Sequence, residues 1–378
     1  MVRPPSPPAR AGIPKGFLGM LAVVLALDFA VFRTDRFSTD QAESWRIKAA
    51  WAREPGDRGE ILVFGDSLCE FGVLPGVLRE RSGREARNLA THNGTPAASY
   101  FLLRRALDSG ARPGAIVVDF MPHQLGMSPG VGMFDRSWPG LLSGREALEL
   151  AATLRDAGFL ARTTTAKALG CVAARHEVRA AIAATCRGEG HLPRQDVRVL
   201  RRHWRANGGA QVVPDRSSRP PESFEGLFPE TWACDPATET YVRRFLALAE
   251  EHRVPVYWLL PPLRPGAQDW RDRRDLDTPY LGYIARLQSA HAGLTILDGR
   301  RGGYDDGHFA DAIHLNRRGA SALSLAIADA LDATRTPGAR IARVPFREPG
   351  PDLRGVEDLR ETRTAMRREQ ERRSARVR

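Results

Sequence analysis

Short apolar runs alternate with helical stretches along most of this 378-residue chain, and no other feature constrains its fold as strongly. After residue 57, each apolar run is followed by a segment with helical periodicity or by a Gly- and Pro-containing turn. The predicted strands lie in EILVFGDS, REARNLA, GAIVVDF, VPVYWLL and LTILD, at residues 60–67, 84–90, 114–120, 254–260 and 294–298. Such alternation indicates βαβ units and therefore an α/β fold with a mostly parallel sheet.

The first apolar run ends in a Gly-Asp-Ser turn at Gly65, Asp66 and Ser67. In open parallel sheets, ligands bind outside the carboxyl ends of the strands. Ser67 stands at such an end and has a hydroxyl that can act as a nucleophile when a base is beside it. We therefore take Ser67 as the first candidate catalytic residue and expect Asp66 to order the turn.

A second group of polar residues precedes the last predicted helix of the α/β region. Asp311 lies three residues before His314, and Asn316 is placed to cap the helix that follows. An Asp at this spacing can accept the Nδ1 proton of the imidazole, which leaves Nε2 free to take a proton from a serine hydroxyl. Alone, this pattern is more typical of a surface or cap pair. Together with the strand-end serine it predicts a Ser67, Asp311, His314 triad.

On the basis of these motifs, two parts of the chain, residues 58–128 and 235–332, resemble the SGNH, or GDSL, hydrolase family. Gly65-Asp66-Ser67-Leu68 resembles its nucleophile block, and Asp311-Ala-Ile-His314 resembles its last block. The resemblance covers about half of the chain. It implies a flavodoxin-like three-layer α/β/α sandwich and a serine mechanism on O-acyl esters of lipids or sugars, without a cofactor or a metal.

The sequence offers several candidate oxyanion donors. The backbone N–H of Ser67 is one candidate, and the family's glycine block resembles NLATHNGTP (88–96), which suggests the backbone N–H of Gly94. The family's G-x-N-D block is missing, because the matching strand continues as VVDFMPHQLG. Asn93 or His123 would then replace its asparagine. This departure resembles the membrane-anchored branch of the family, which includes polysaccharide O-acetyltransferases.

The N-terminus predicts a membrane signal. Three basic residues precede the apolar run at residues 16–32, which contains a single acidic residue. We expect a cytoplasmic N-terminus over residues 1–15, a transmembrane signal anchor over 16–33, a stalk over 34–57 and an extracytoplasmic catalytic domain. A cleaved signal peptide and a buried core helix are the alternatives.

Two further regions flank or interrupt the α/β pattern. Residues 129–234 form a predicted helical and loop insertion, opened by a Ser143/Glu146 capping box and containing a candidate lid. Its tryptophans, Trp138, Trp204 and Trp232, either stack on sugar rings or pack in the core. Residues 333–378 form a basic tail, with 13 Arg against 7 acidic residues in 335–378. We expect it to be solvated and partly helical or disordered, and contact with an anionic membrane or glycan is the alternative. With the single aromatic residue Phe346 among these charges, the tail does not predict nucleic-acid binding.

The four cysteines, Cys69, Cys171, Cys186 and Cys234, are scattered and contain no C-x-x-C pair. They therefore indicate neither a zinc site nor a disulfide scaffold. Outside the cytoplasm one pair could oxidise, with Cys171 and Cys186 the nearest in sequence away from the turn.

Three functions fit these observations. The first is an anchored esterase that removes acyl groups from a cell-surface glycan. The second is an O-acetyltransferase that uses the same triad, with acyl groups supplied by a membrane-bound acyltransferase. The third is a non-catalytic glycan-binding or assembly protein on a degenerate fold, which the intact triad argues against.

Overall fold

A computed structural model of the chain describes residues 15–32, 38–188, 197–215, 228, 232–333, 341–350 and 356–377. The strands are β1 (Ile61–Phe64), β2 (Ala86–Asn88), β3 (Ala115–Val118), β4 (Val256–Leu260), β5 (Leu294–Asp298) and β6 (Ile341–Arg343). The first nine helices are α1 (Lys15–Phe32), α2 (Asp40–Trp51), α3 (Ser67–Gly72), α4 (Pro75–Ser82), α5 (Pro96–Asp108), α6 (Pro122–Gly126), α7 (Trp138–Leu141), α8 (Gly144–Leu154) and α9 (Ala157–Ala168). The others are α10 (Gly170–Ala173), α11 (Arg175–Cys186), α12 (Val197–Ala206), α13 (Pro236–Glu251), α14 (Pro265–Arg273), α15 (Asp277–Ala290), α16 (Arg317–Ala333) and α17 (Leu359–Val377).

The six strands form one parallel sheet in the order β2-β1-β3-β4-β5-β6. The prediction of an α/β fold with a parallel sheet is therefore confirmed. The chain runs from β1 to β2 on one side and then crosses to β3 on the other side of β1. Strand order reverses at this point, so the crevice between the carboxyl ends of β1 and β3 is where a doubly wound sheet binds its ligand.

Both faces of the sheet are covered. Successive side chains of a strand point to opposite faces, and in β1 Ile61 and Val63 belong to one core cluster while Leu62 and Phe64 belong to the other. Helices α5, α13 and α15 pack on the face that carries Leu62 and Phe64. Helices α4 and α16 pack on the opposite face, which carries Ile61 and Val63. All four β1 side chains are fully buried, which explains why this strand reads as a continuous apolar run.

Helix α2 corrects the prediction of a polar stalk over residues 34–57. Four side chains of this segment are at most 1% exposed: Trp45, Lys48, Ala49 and Ala52. The Trp45 ring contacts the Trp138 ring edge-on, with 4.8 Å between the ring centroids. The sequence looks polar because the buried stripe of α2 carries Glu, Ser and Lys as well as Trp. Those polar groups find partners in the domain, so this helix is part of the domain core.

The insertion over residues 129–234 is largely helical where the structure describes it, from α7 to α12. The predicted capping box opens α8: Ser143 Oγ accepts from the Glu146 N–H, and the Glu146 carboxylate accepts from the Ser143 N–H. Trp138 and Trp204 are fully buried. Their role is therefore core packing, whereas residues 216–227 and 229–231 of the candidate lid lie outside the described residues.

The prediction of a solvated, partly helical or disordered tail over residues 333–378 is wrong at two places. β6 pairs with β5 in parallel, and α17 packs against α12. Buried side chains hold both elements, since Val344, Val356 and Thr362 are at most 5% exposed. Composition alone predicted disorder because few apolar residues stand among many arginines, yet two of these apolar residues, Val344 and Val356, are buried.

Helix α1 is formed by most of the residues of the predicted anchor, 16–33. Among the described residues, the structure contains no helix that is both long enough and apolar enough to cross a membrane, so the prediction of a transmembrane helix is not supported. Asp28 accepts hydrogen bonds from the N–H groups of Gly170 and Cys171, both at 2.8 Å. The predicted cytoplasmic segment lies, up to residue 14, outside the described residues.

Candidate active site

The Gly65-Asp66-Ser67 turn, which carries the candidate nucleophile, follows β1 directly. Gly65 has φ +126°, and a Cβ there would lie 1.6 Å from Asp119 Oδ1, so only glycine fits this close approach. Asp66 then caps α3, since its Oδ1 accepts from the Leu68 N–H at 2.8 Å. Ser67 is therefore fixed as the first residue of a helix at the carboxyl end of a buried strand.

The three predicted catalytic side chains form one hydrogen-bonded chain. His314 Nε2 lies 2.8 Å from Ser67 Oγ, and His314 Nδ1 lies 2.7 Å from Asp311 Oδ2. Because ionised Asp311 can only accept, Nδ1 carries the proton and Nε2 is left to accept the Ser67 hydroxyl proton. Residues 247 positions apart in sequence thus meet at the reversal point of the sheet.

Asp311 is held ionised by its own loop. Partial burial by itself would raise its pKa, but hydrogen bonds from His314 and from the N–H groups of Ile313 and His314 outweigh burial and lower the pKa to about 2. The carboxylate is therefore charged throughout the neutral pH range. It fixes the tautomer of His314 and stabilises the imidazolium that forms when Ser67 loses its proton.

The candidate oxyanion donors differ in how they are engaged. No acceptor in the described part of the chain bonds the Ser67 N–H, which stands at the N-terminus of α3. The Gly94 N–H instead donates to Thr91 O at 2.8 Å, and Asn93 Nδ2 donates to Gln41 Oε1 at 3.3 Å. His123, on α6 after β3, is exposed. Ser67 N–H is thus the open donor, and Gly94 acts as a packing residue.

A buried carboxyl pair lies under the turn. Asp119, at the end of β3, is fully buried, and its Oδ1 accepts from the Asp66 N–H at 3.1 Å. Burial raises the pKa of Asp119 well above its usual range, and the neighbouring Asp66 raises it further. Two adjacent buried carboxyl groups do not both ionise, so Asp119 is the protonated member that supports the turn.

A second buried charged pair lies beside the triad. Glu70, one turn after Ser67, is fully buried, and its Oε1 accepts from Ser44 Oγ at 2.7 Å. Lys48 is also fully buried and donates to the carbonyls of Asn88 and Gly209. Burial lowers the pKa of Lys48 to about 8, although the charge of Glu70 opposes this. Neither residue belongs to the predicted triad.

His92 approaches the same region from the loop after β2. Its ring centroid lies 5.8 Å from that of Phe71, and the Phe71 ring lies 4.8 Å from the His314 ring. Phe71 therefore separates two imidazoles and covers one side of the His314 ring. His92 Nδ1 is 4.0 Å from the buried carboxylate of Glu70.

Sequence reasoning found the triad but missed Lys48, Glu70, Phe71 and Asp119. Glu70 and Phe71 had a usable signal, since three and four residues after a helix-initiating serine place them within one turn of it. Asp119 likewise stands at a strand end beside the nucleophile strand. Lys48 had none, because it reaches the site from a helix that precedes the α/β region.

Within the described residues, no group of three or more His, Cys, Asp or Glu side chains is arranged to hold a metal ion. The four cysteines are free thiols. Compared with known proteins, the chain matches no protein-family model and no curated protein sequence. Functional inference therefore rests on the geometry of the site.

Proposed function

We propose that this protein is a serine hydrolase of the SGNH type that acts on O-acyl esters, with a cell-surface glycan as the substrate class. The observation that carries the proposal is the continuous chain from Ser67 Oγ through His314 to Asp311, with distances of 2.8 and 2.7 Å. The strand order of the first five strands, 2-1-3-4-5, is the flavodoxin-like order, and it supports the proposal by placing Ser67 beside the reversal point.

The reaction takes place in two steps. Ser67 Oγ forms a bond to the ester carbonyl carbon while its proton moves to His314 Nε2, and the carbonyl oxygen becomes an oxyanion facing the Ser67 N–H. The bond to the leaving oxygen then breaks, and that oxygen takes the proton from His314. An acyl-serine remains. Water then forms a bond to its carbonyl carbon while one water proton moves to His314 Nε2, the bond from that carbon to Ser67 Oγ breaks, the acid leaves, and Ser67 Oγ takes the proton back from His314.

A transferase would use the same first step and differ only in the second, where a sugar hydroxyl replaces water. O-acetyl transfer to a surface polysaccharide is therefore the alternative outcome of the same experiment. In that case an acyl donor must reach Ser67, and a membrane-bound acyltransferase is the partner that the alternative requires. No cofactor enters either route.

Location outside the cytoplasm, with membrane association through residues 16–33, is part of the proposal. It is supported by the basic residues at positions 3, 10 and 15 and by the exposed apolar side chains of α1, such as Leu18 and Phe29. Flotation of the full chain with phospholipid vesicles tests this association, compared with a chain that begins at residue 38. Equal recovery of both chains in the soluble fraction would reject it.

The deciding experiment is a rapid-mixing assay with nitrophenyl acetate on the chain that begins at residue 38. We expect a burst of nitrophenol equal to the enzyme concentration, and Ser67→Ala should abolish it. Ser99→Ala, a buried serine on α5, is the matched control and should keep the burst.

The steady state after the burst separates the two reactions. Slow turnover that added polysaccharide accelerates would favour the transferase, whereas turnover insensitive to polysaccharide would favour the hydrolase. A folded protein with neither a burst nor steady turnover would contradict both and leave the non-catalytic glycan-binding function.

A further inference from the structure

Helix α2 presents one polar stripe to the loop beside the nucleophile. Gln41, Ser44, Trp45 and Lys48 follow one another at spacings of three, one and three residues, which places them on one face of a helix. Each of the four side chains makes a hydrogen bond to a residue between Asn88 and Asn93. A helix that precedes the α/β region thus contacts a segment about 45 residues further on.

The contacts fix the backbone of the loop over residues 91–94. Trp45 Nε1 donates to the carbonyl oxygen of His92 at 2.8 Å, and Ser44 Oγ accepts from the N–H of His92 at 3.4 Å. Both sides of one residue's backbone are therefore held by the same helix turn. The Asn93 side chain reaches Gln41, and Asn93 itself has φ +53°, a conformation that costs energy unless its surroundings hold it.

This loop in turn touches the nucleophile turn. The Thr91 N–H donates to Gly65 O at 3.1 Å. A Cβ at Gly94 would lie 2.1 Å from the same oxygen, so the loop packs directly on the backbone two residues before Ser67. Any displacement of the loop therefore displaces Gly65 and, through it, the orientation of the Ser67 N–H.

The same helix also holds the far end of α3. The hydroxyl of Ser44 that accepts from His92 donates to Glu70 Oε1 at 2.7 Å, and Glu70 lies one turn after Ser67. Lys48 supplies the compensating buried charge while binding Asn88 O at 2.8 Å. One face of α2 therefore supports the nucleophile from both sides, through the 91–94 loop and through Glu70.

We propose that α2 is a positioning element of the active site and that Trp45 and Ser44 are positioning residues for the acylation of Ser67. The proposal rests on the serine-hydrolase function proposed above. Displacements of about 1 Å at a reacting group cost roughly 100-fold in rate, so loss of one of these bonds should be visible in kinetics.

The chain offers a matched control for Trp45. Trp138 is equally buried, packs against Trp45, and its Nε1 also donates to a backbone carbonyl, that of Pro129 at 3.0 Å. Pro129 lies outside the loop at 91–94. Trp45→Phe and Trp138→Phe therefore remove the same atoms and the same kind of hydrogen bond, but only the first loosens the loop.

Two readouts test the proposal. In the nitrophenyl acetate burst, we expect Trp45→Phe to lower the acylation rate constant by about 10-fold or more with little change in substrate affinity, while Trp138→Phe stays within about 3-fold of the parent. In hydrogen exchange, the amides of residues 91–94 should exchange faster in Trp45→Phe and Ser44→Ala than in Trp138→Phe.

The outcomes separate the two proposals. Equal acylation rates in Trp45→Phe and Trp138→Phe, or loop amides that exchange equally in both, would overturn the positioning role. Absence of both a burst and steady turnover in the parent chain would reject the hydrolase function, and the exchange comparison would still decide whether α2 orders the loop. If Trp45→Phe does not fold, Ser44→Ala alone is used, since it removes one oxygen.

Discussion

At the residue scale, the chemistry of the site depends on which carboxyl groups are ionised, and burial and hydrogen bonds decide this. Asp311 is only half-buried and is bonded by three donors, including two backbone N–H groups. It is therefore stable as a carboxylate, which is the form that orients His314. Asp119 is fully buried beside Asp66 and lacks a cation partner among the described residues, and it is therefore stable as the neutral acid.

This difference predicts the effect of Asp119→Asn on stability. The raised pKa of Asp119 means that the folded state holds its proton more tightly than the unfolded chain does. Its contribution to stability is thus complete below about pH 4 and is lost as pH rises towards its folded pKa. Relative to the parent, we expect Asp119→Asn to become more stable as pH rises from 4 to 8.

Urea unfolding of both proteins across that range measures the effect. Asp108→Asn, an exposed aspartate at the end of α5, is the control and should show no such trend. A difference between parent and Asp119→Asn that is constant with pH would show that Asp119 is ionised in the folded protein.

At the scale of elements, the contact between α12 and α17 contains a buried histidine. Val212 N–H donates to His203 Nε2 at 2.8 Å, so Nδ1 carries the proton and faces Thr362 Oγ1 at 3.0 Å. Burial lowers the pKa of His203 to about 4, although the charge of Asp358 opposes this. Protonation would place a second proton against the Val212 N–H and break that bond.

The low pKa of His203 predicts acid-labile packing of α17. Between about pH 6.5 and pH 4 the unfolded chain binds a proton at this position and the folded chain does not. Stability therefore falls as pH falls through that window, by about 3 kcal/mol in total. Denaturant unfolding of the parent and of His203→Gln at pH 7, 5.5 and 4.5 measures it. Parallel curves for the two proteins would contradict the assignment.

The elements after residue 340 are predicted to stabilise the domain. Removal of residues 341–378 deletes β6 and exposes the surfaces that Val344 and Val356 cover. We expect a loss of about 3 kcal/mol or more in the free energy of unfolding, as for deletion of buried apolar side chains. Thermal and urea unfolding provide the measurement.

Removal of residues 371–378 is the matched control, because residues 371–375 are exposed. It should change stability by less than about 1 kcal/mol. If the longer deletion were equally harmless, residues 341–378 would be peripheral to the fold, as their composition suggested.

At the scale of the whole molecule, the N-terminal helices differ in importance. α1 exposes many apolar side chains and is bonded to α10 through Asp28, whereas α2 buries Trp45 and Lys48 in the domain. The boundary of the folded unit therefore lies between these two helices and not at the end of the predicted stalk.

This boundary predicts the outcome of two truncations. A chain that begins at residue 38 should unfold within about 1 kcal/mol of the full chain and keep the acyl-enzyme burst. A chain that begins at residue 53, which lacks α2, should lose several kcal/mol because the Trp45 side chain is missing from the core. Equal stability of the two shortened chains would show that α2 is not part of the folded unit.

The sequence by itself determined the parallel α/β architecture and the three residues of the candidate triad. Both can be recognised from residues that are adjacent in sequence, because buried strands are continuous apolar runs and because Ser67 and the Asp311/His314 pair each lie in a short motif. The tertiary structure decided the roles of α2, β6, Asp119 and Glu70. Their partners are distant in sequence, and burial of a polar or basic segment depends on contacts that no local pattern contains.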